Sequence, residues 1–349
     1  MVSGYRFFAL LCLVCLSFGL FAQGERKDKT AVTYEEIYDE PYSINKLFVQ
    51  FQPLYGELFA TNVNAGFGME AHYYLKEKAD FKAHFRKTYS SNFFDFNREQ
   101  ATRSSQVDND PEIFNYFEFG GTYHVKDFEG SSKTKMFLYK KSYAGNKWAS
   151  RVPLTSVVPC KIRKIYGARL GAIIWDSSID VNNIMEKQGF TAAEFQDNEG
   201  NNLASDAGDD VIIFTNVSTA GVYLGGSMTW IRNIAVSFDK FESGVDDLIL
   251  TTYFDLIFSP SVNIDDIVYS DRTVDPIVTR TYDSSPIGIK KFGFRAGVEG
   301  KFNRTLGWAY GGEIGYRPGI DGRMFYALLK ISFPVFGTNL DYKVESFGK

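Results

Sequence analysis

From Lys46 to Val335 the chain is a succession of segments in which apolar and polar residues alternate strictly, and nearly every segment keeps one face fit for a lipid environment. The clearest runs from Phe292 to Phe302: Phe292, Phe294, Ala296, Val298 and Phe302 fall on one side, and Gly293, Arg295, Gly297, Glu299 and Lys301 on the other. Successive side chains of a strand point to opposite faces, so this pattern makes one apolar surface backed by one polar, glycine-rich surface. Two all-β architectures satisfy it. A soluble sandwich hides the apolar face, whereas a transmembrane barrel turns it to lipid and encloses the polar face.

Composition leans toward the second. Aromatic residues make up 16% of the 349 residues, including 32 Phe and 21 Tyr, a proportion usual for a barrel with aromatic girdles. Mean hydropathy is only −0.19, because polar residues at every second position cancel the apolar ones. At the start, Arg6 precedes an apolar run from Phe7 to Leu20 and then Phe21-Ala22-Gln23. A basic start, a short apolar core and a small residue before a polar one predict a secretory signal peptide over 1–22. Cys15 is followed by Leu-Ser-Phe-Gly-Leu-Phe, too apolar for the start of a mature lipoprotein. Cleavage after Ala22 leaves Cys160 alone, so the exported chain has no internal disulfide. Removing Arg6 takes the formal charge from −4 to −5. No second long apolar run follows, so a membrane-embedded form has to be a closed barrel.

The periodicity predicts twelve strands, with a range of ten to fourteen: 47–58, 64–75, 80–89, 114–126, 134–144, 151–158, 161–175, 218–239, 247–258, 289–302, 306–317 and 322–335. Pro153 and Pro159 weaken the sixth, and the eighth is long enough to break near Arg232-Asn233. The longest connections, 90–113, 176–217 and 259–288, all follow odd strands, while those after even strands are short. Folding 64–75 onto 80–89 with Ala71 opposite Phe85 and Tyr73 opposite Ala83 matches the apolar faces and sets Glu70 against Arg86. The hairpin around Arg304 behaves alike, with Gly300 opposite Trp308 and Arg295 opposite Glu313.

Together with the signal peptide, the loop parity and aromatics such as Trp175, Trp230, Trp308, Tyr310 and Tyr316, these strands resemble a Gram-negative outer-membrane β-barrel protein over residues 46–336. The resemblance implies an antiparallel up-and-down transmembrane barrel in the bacterial outer membrane, with short periplasmic turns, long extracellular loops and both termini in the periplasm. Residues 23–45 read as a mobile periplasmic leader and 337–349 as a C-terminal tail. Members of this class typically end on a strand with a terminal aromatic. Here the best last strand, Arg323 to Val335, stops earlier, and the tail, with Leu340 to Phe347, departs from that pattern.

In this architecture Glu70, His72, Lys82, His84, Arg86, Glu118, His124, Arg169, Arg295, Glu299, Glu313 and Lys330 line the lumen, along with Lys135, Lys141, Arg163, Asp255, Lys301 and Arg317. They make either a lattice of ion pairs filling a narrow barrel or a small pore with a net positive wall. His72, His84 and His124 are weak candidates for binding a transition metal or for a pH-sensitive constriction. Residues 133–164 hold nine basic side chains and no acidic one, either plain solvated charge or a docking face for lipopolysaccharide phosphates or an acidic envelope protein. Loop 176–217 carries nine acidic residues against Lys187. Its Asp197, Glu199, Asp206, Asp209 and Asp210 hint at calcium, although the spacing is not that of an EF-hand. Recognisable catalytic motifs are absent and no cofactor is implied; nucleic acid is not an expected partner of an exported chain. The sequence therefore points to a non-catalytic outer-membrane barrel, acting as a small-solute channel or transporter or as a subunit of an envelope assembly. The alternatives are a barrel-embedded lipid hydrolase and a soluble exported β-sandwich or adhesin.

Overall fold

A sheet of strands with one charged and one apolar face has to hide one of them, and closing the sheet on itself does so without leaving an edge. The computed structural model describes residues 32–75, 77–89, 94–139, 154–239, 241–303 and 307–338; the signal peptide expected over 1–22 and residues 339–349 of the expected tail lie outside the described residues. The strands are β1 (Tyr34–Asp39), β2 (Leu47–Phe59), β3 (Asn64–Leu75), β4 (Ala79–Thr88), β5 (Asn115–Leu138), β6 (Leu154–Asp180), β7 (Phe214–Ile231), β8 (Ile234–Phe238), β9 (Gly244–Asp246), β10 (Leu248–Ile264), β11 (Ile267–Asp271), β12 (Val278–Tyr282), β13 (Ile289–Lys290), β14 (Phe292–Phe302), β15 (Ala309–Tyr316), β16 (Gly319–Ile320) and β17 (Phe325–Gly337). Among the described residues, ten of them close an antiparallel barrel in the order β2-β3-β4-β5-β6-β7-β10-β14-β15-β17, with β17 pairing back onto β2. Each barrel strand neighbours the next barrel strand in sequence, which is an up-and-down topology.

The barrel has ten strands rather than twelve because two pairs of expected strands are single long ones. Residues 114–126 and 134–144 belong to β5, and 151–158 and 161–175 to β6. Pro159 does not break β6. It lies opposite Lys133, and the β6–β7 ladder begins only at Arg163, so Pro159 has no second strand to supply with an N–H. Removing one strand from each side of the same connection preserves the parity. The long connections, 89–114, 181–213 and 265–291, follow the third, fifth and seventh barrel strands. The overlong eighth strand does break at Arg232-Asn233, into β7 and β8.

Both expected hairpin registers are off by two residues. Ala71 pairs with Ala83 and Glu70 with His84; Gly300 pairs with Tyr310 and Arg295 with Gly315. A slip of two leaves every side chain on its face. Tyr310, not Trp308, therefore covers the bare backbone at Gly300, against which a Cβ would collide with the Tyr310 ring.

The faces sort by chemistry. Phe294, Trp308 and Ile331 are exposed on the outside, and Leu329 is 73% exposed, whereas Arg295 is 1% and Asp255 0% exposed on the inside. This excludes the two-sheet sandwich, in which the apolar side would be covered. Trp175 is also inside and fully buried, not an outer girdle residue, because the inward positions of β6 from Arg163 are odd.

The two ends of the barrel differ. At the long-loop end, helices α1 (Phe96–Ser104), α2 (Val181–Gln188) and α3 (Leu203–Ala207) and the β11–β12 pair fold over the mouth. There Val107, Ile184, Phe195, Leu203 and Ile267 join Trp175 and Phe59 in one apolar core. Helix α2 begins where the Asp180 side chain accepts from the Asn183 N–H and ends at Gly189 with φ +79°, a conformation that favours glycine. At the opposite end, residues 35–45 of the expected leader pack against the barrel. β1 joins the β1-β8-β9 sheet, and residues 40–45 cross the barrel end. The Asn233 side chain donates to the carbonyls of Glu40 (3.0 Å) and Ser43 (2.7 Å), and the Asn45 N–H donates to Asn303 Oδ1 (2.8 Å). This strap sets Ile44 against Phe48, Tyr74, Ile165, Ile231 and Ile249, an apolar layer inside the barrel.

The strap depends on few bonds. Asn233→Ala removes two of them at buried carbonyls, a local loss of about 1–3 kcal/mol. Limited proteolysis should then cut within 40–46 several-fold faster while the barrel core stays resistant; an unchanged cutting rate would show that Asn233 does not hold the strap.

Candidate functional site: the charged lumen and its two seals

Between the two apolar layers lies a stack of charges. Nearest the loops, Glu57 accepts from Arg86 Nη1 (2.9 Å) and from both terminal nitrogens of Arg317 (2.9 Å each). Below it, Asp255 accepts from Arg169 Nε (2.9 Å) and Arg295 Nε (2.8 Å). Arg295 also reaches Glu118 (2.7 Å) and Glu313 (3.4 Å), and the Tyr253 hydroxyl donates to Glu313 (2.6 Å). The next layer joins Lys330 to Glu70 (2.6 Å) and Glu299 (2.7 Å), with Lys82 donating to Glu299 as well. Last, Lys301 donates to His72 Nδ1, and the Nε2 atoms of His72 and His124 meet the two oxygens of Asp80 at 2.8 and 3.0 Å. Arg163 pairs with Asp127 (2.5 Å) and lies over the Tyr42 ring of the strap.

Eleven of the twelve side chains expected in the lumen are buried there, and Glu299, the twelfth, is half-buried among the same partners. Lys135 is not among the lumenal residues: it is exposed on the part of β5 that runs past the barrel. Lys141 lies outside the described residues. The net positive wall also disappears. In the three upper layers six carboxylates (Glu57, Glu70, Glu118, Asp255, Glu299, Glu313) face six cations (Lys82, Arg86, Arg169, Arg295, Arg317, Lys330).

Sequence reasoning missed Glu57, Asp80 and Asp127. The signal for Glu57 was Pro53. Phe48, Gln50 and Gln52 face inward, a bulge between Gln52 and Tyr55 shifts the phase, and Tyr55, Glu57 and Phe59 face inward after it. Aromatic side chains fill the space beside the charges: Tyr223 closes on Gly120 and Gly171, and the Arg317 guanidinium lies over Tyr326 (4.2 Å) and Phe59 (4.8 Å). Between the layers lie a cavity of about 30 Å³ bordered by Glu70, His72, Lys82, Glu299, Lys301 and Lys330, and one of about 10 Å³ beside it. That is room for a water molecule or two.

The three histidines do not converge. His72 and His124 share Asp80, but the Lys301 ammonium occupies the other ring nitrogen of His72, and His84 turns to Gln52 Oε1 (2.9 Å). Among the described residues no group of three or more His, Cys, Asp or Glu is arranged to hold a metal ion. In the acidic loop an arginine takes up two of the carboxylates offered for calcium. Arg280 pairs with Asp206 (2.5 Å) and approaches Asp197 (3.6 Å), while Asp197 accepts from the N–H groups of Glu199 and Asn201. No protein-family model matches the chain, and a search of the curated proteins finds no match.

Two outcomes follow. Asp255→Asn leaves Arg169 and Arg295 without their shared anion, and breaking such a buried pair costs about 3–5 kcal/mol; urea unfolding followed by tryptophan fluorescence should register that loss, and a change below about 1 kcal/mol would contradict the lattice. In the loop cap, burial alone would raise the Asp206 carboxyl, but hydrogen bonds from Tyr282 and Arg280 and the Arg280 charge outweigh it and hold it below the usual aspartate range. A carboxyl depressed in the folded state stabilises above its unfolded pKa, and that stability is lost as pH falls through the folded value. Protease resistance of the 181–213 loop should therefore drop on acidification below the ordinary aspartate range. In Asp206→Asn it should be low and flat with pH.

Proposed function

We propose that this chain is an integral β-barrel of a bacterial outer membrane that does not conduct, serving the envelope as a structural or assembly subunit. The observation that carries this reading is a wall apolar on its outside around an interior filled by paired charges and closed by an apolar layer at each end. Outward positions such as Val222, Leu224, Met228 and Trp230 on β7, or Leu250, Phe254, Leu256 and Phe258 on β10, span nine residues each, close to the 9–11 that a tilted strand needs to cross a bilayer. Tyr73, Tyr123, Tyr166 and Trp308 ring one border of this belt, and Tyr89, Phe258, Phe292 and Tyr316 the other. On this reading, which the loop parity and the signal peptide expected over 1–22 support, the strap faces the periplasm and the α1–α3 cap the outside. A channel or transporter would need a route through the Arg295 layer. A lipid hydrolase would need a serine beside a histidine, and none is hydrogen-bonded to one among the described residues.

The reading is tested by reconstitution. Purified protein should migrate differently on gels before and after heating, and planar bilayers should show no steady single-channel current. Leu224→Arg, in the middle of the belt, should destabilise the protein in lipid by about 2–4 kcal/mol. Steady conductance would overturn the sealed-lumen reading, and a Leu224→Arg protein as stable as wild type would argue against lipid contact.

A further inference from the structure

β4 accompanies β5 only to Tyr123, and β7 accompanies β6 only from Arg163. Beyond both points β5 and β6 pair with each other alone, from Gly130 opposite Ile162 to Leu138 opposite Leu154. This is a ribbon about 30 Å long at the usual rise per residue, leaving the barrel on the side of the strap. A bare two-stranded ribbon is marginal in water, and one face of this one is held. Thr134, Met136, Leu138, Val158 and Cys160 are buried on it. Thr134 Oγ1 donates to Asp246 (2.6 Å), the Lys161 N–H donates to Asp39 (2.7 Å), and a Cβ at Gly244 would lie 2.6 Å from the Met136 sulfur. The β1-β8-β9 sheet thus backs the ribbon.

Among the described residues nothing packs on the other face. Lys133, Lys135 and Phe137 stand opposite Pro159, Val157 and Thr155, with Phe137 53% and Val157 58% exposed. Lys133 and Lys135 have no ion-pair partner among the described residues, and Lys161 only approaches Glu129 at 4.0 Å. Lysines on an unpaired ribbon are a common guard against edge pairing, but that role gives no reason for a phenylalanine and a valine side by side in water between them. We propose that this face docks an acidic, partly apolar segment of another envelope protein. The proposal rests on the assembly reading above and names its surface. The argument is charge complementarity: Lys133, Lys135 and Lys161 stand exposed on this face, and an opposing acidic strip neutralises them while covering Phe137 and Val157. Phe137 lies fourteen residues past Tyr123, the outward aromatic where the β4 pairing ends, about 45 Å along the strand. That is several times the ~5–8 Å of a headgroup layer, so a protein fits this face better than the lipid surface.

The test uses the full chain in detergent and a fluorescein-labelled peptide of alternating glutamate and valine, with a lysine–valine peptide as control. The acidic peptide should bind, weaken on the order of tenfold from low to high salt, and lose on the order of tenfold again in Lys133→Glu with Lys135→Glu. Phe137→Ser should weaken it several-fold, and the lysine peptide should not bind. Equal binding by wild type and the charge-reversed protein, or equal binding of both peptides, overturns the proposal. So does lysine-dependent capture of phosphatidylglycerol vesicles with no peptide binding, which gives the face to a membrane. Heat-modifiable migration checks that each variant has folded; its absence in the wild-type protein would instead defeat the outer-membrane reading.

Discussion

A guanidinium held at 1% exposure, as Arg295 is, is tolerable only while its N–H groups meet acceptors and its charge meets carboxylates. Arg295 meets Asp255 on β10, Glu118 on β5, Glu313 on β15 and the Tyr116 hydroxyl. These partners come from strands across the barrel as well as beside it. The wall must close, and close in one register, for the set to exist at all. Buried ion pairs are weak evidence of net stability, because removing them from water costs about as much as their attraction returns. Their effect here is on which barrel forms.

The register of β3 on β4 makes the point. A slip of two residues would oppose Ala71 to Phe85 and Glu70 to Arg86, and viewed as an isolated hairpin that pairing is at least as good as the one adopted. In the barrel Arg86 is committed to Glu57 on β2, which also binds Arg317 beyond β15, and Glu70 is committed to Lys330 on β17. The choice between two face-conserving registers is thus made by strands that the hairpin itself does not contain.

That separates what was legible in the sequence from what was not. The inside–outside division was legible, since alternation depends on one strand at a time, and so was the loop parity. Glu57 was not, because the phase of β2 changes at the Pro53 bulge and a strict period of two cannot follow it. Trp175 resembles a girdle residue by composition, yet odd positions of β6 face inward and it roofs the lattice instead. Pro159 marked a strand boundary on the assumption that both edges of β6 were paired. The packing of residues 35–45 on the barrel was hidden for another reason: a polar strap carries no periodicity, and its bonds to Asn233 and Asn303 join segments far apart in the chain.

The same lattice argues about what the barrel can do. A continuous passage requires Arg295, Asp255 and Glu118 to part while still enclosed by the wall, and each broken buried pair costs about 3–5 kcal/mol. Two or three such losses equal the ordinary total stability of a folded domain, about 5–15 kcal/mol. The loop core around Trp175 and the layer around Ile44 would have to yield as well. Opening on that scale approaches unfolding, which favours the proposed reading of a sealed barrel over a conducting one. What can vary cheaply lies at its ends, in the folded cap on one side and in the strap and the projecting ribbon on the other.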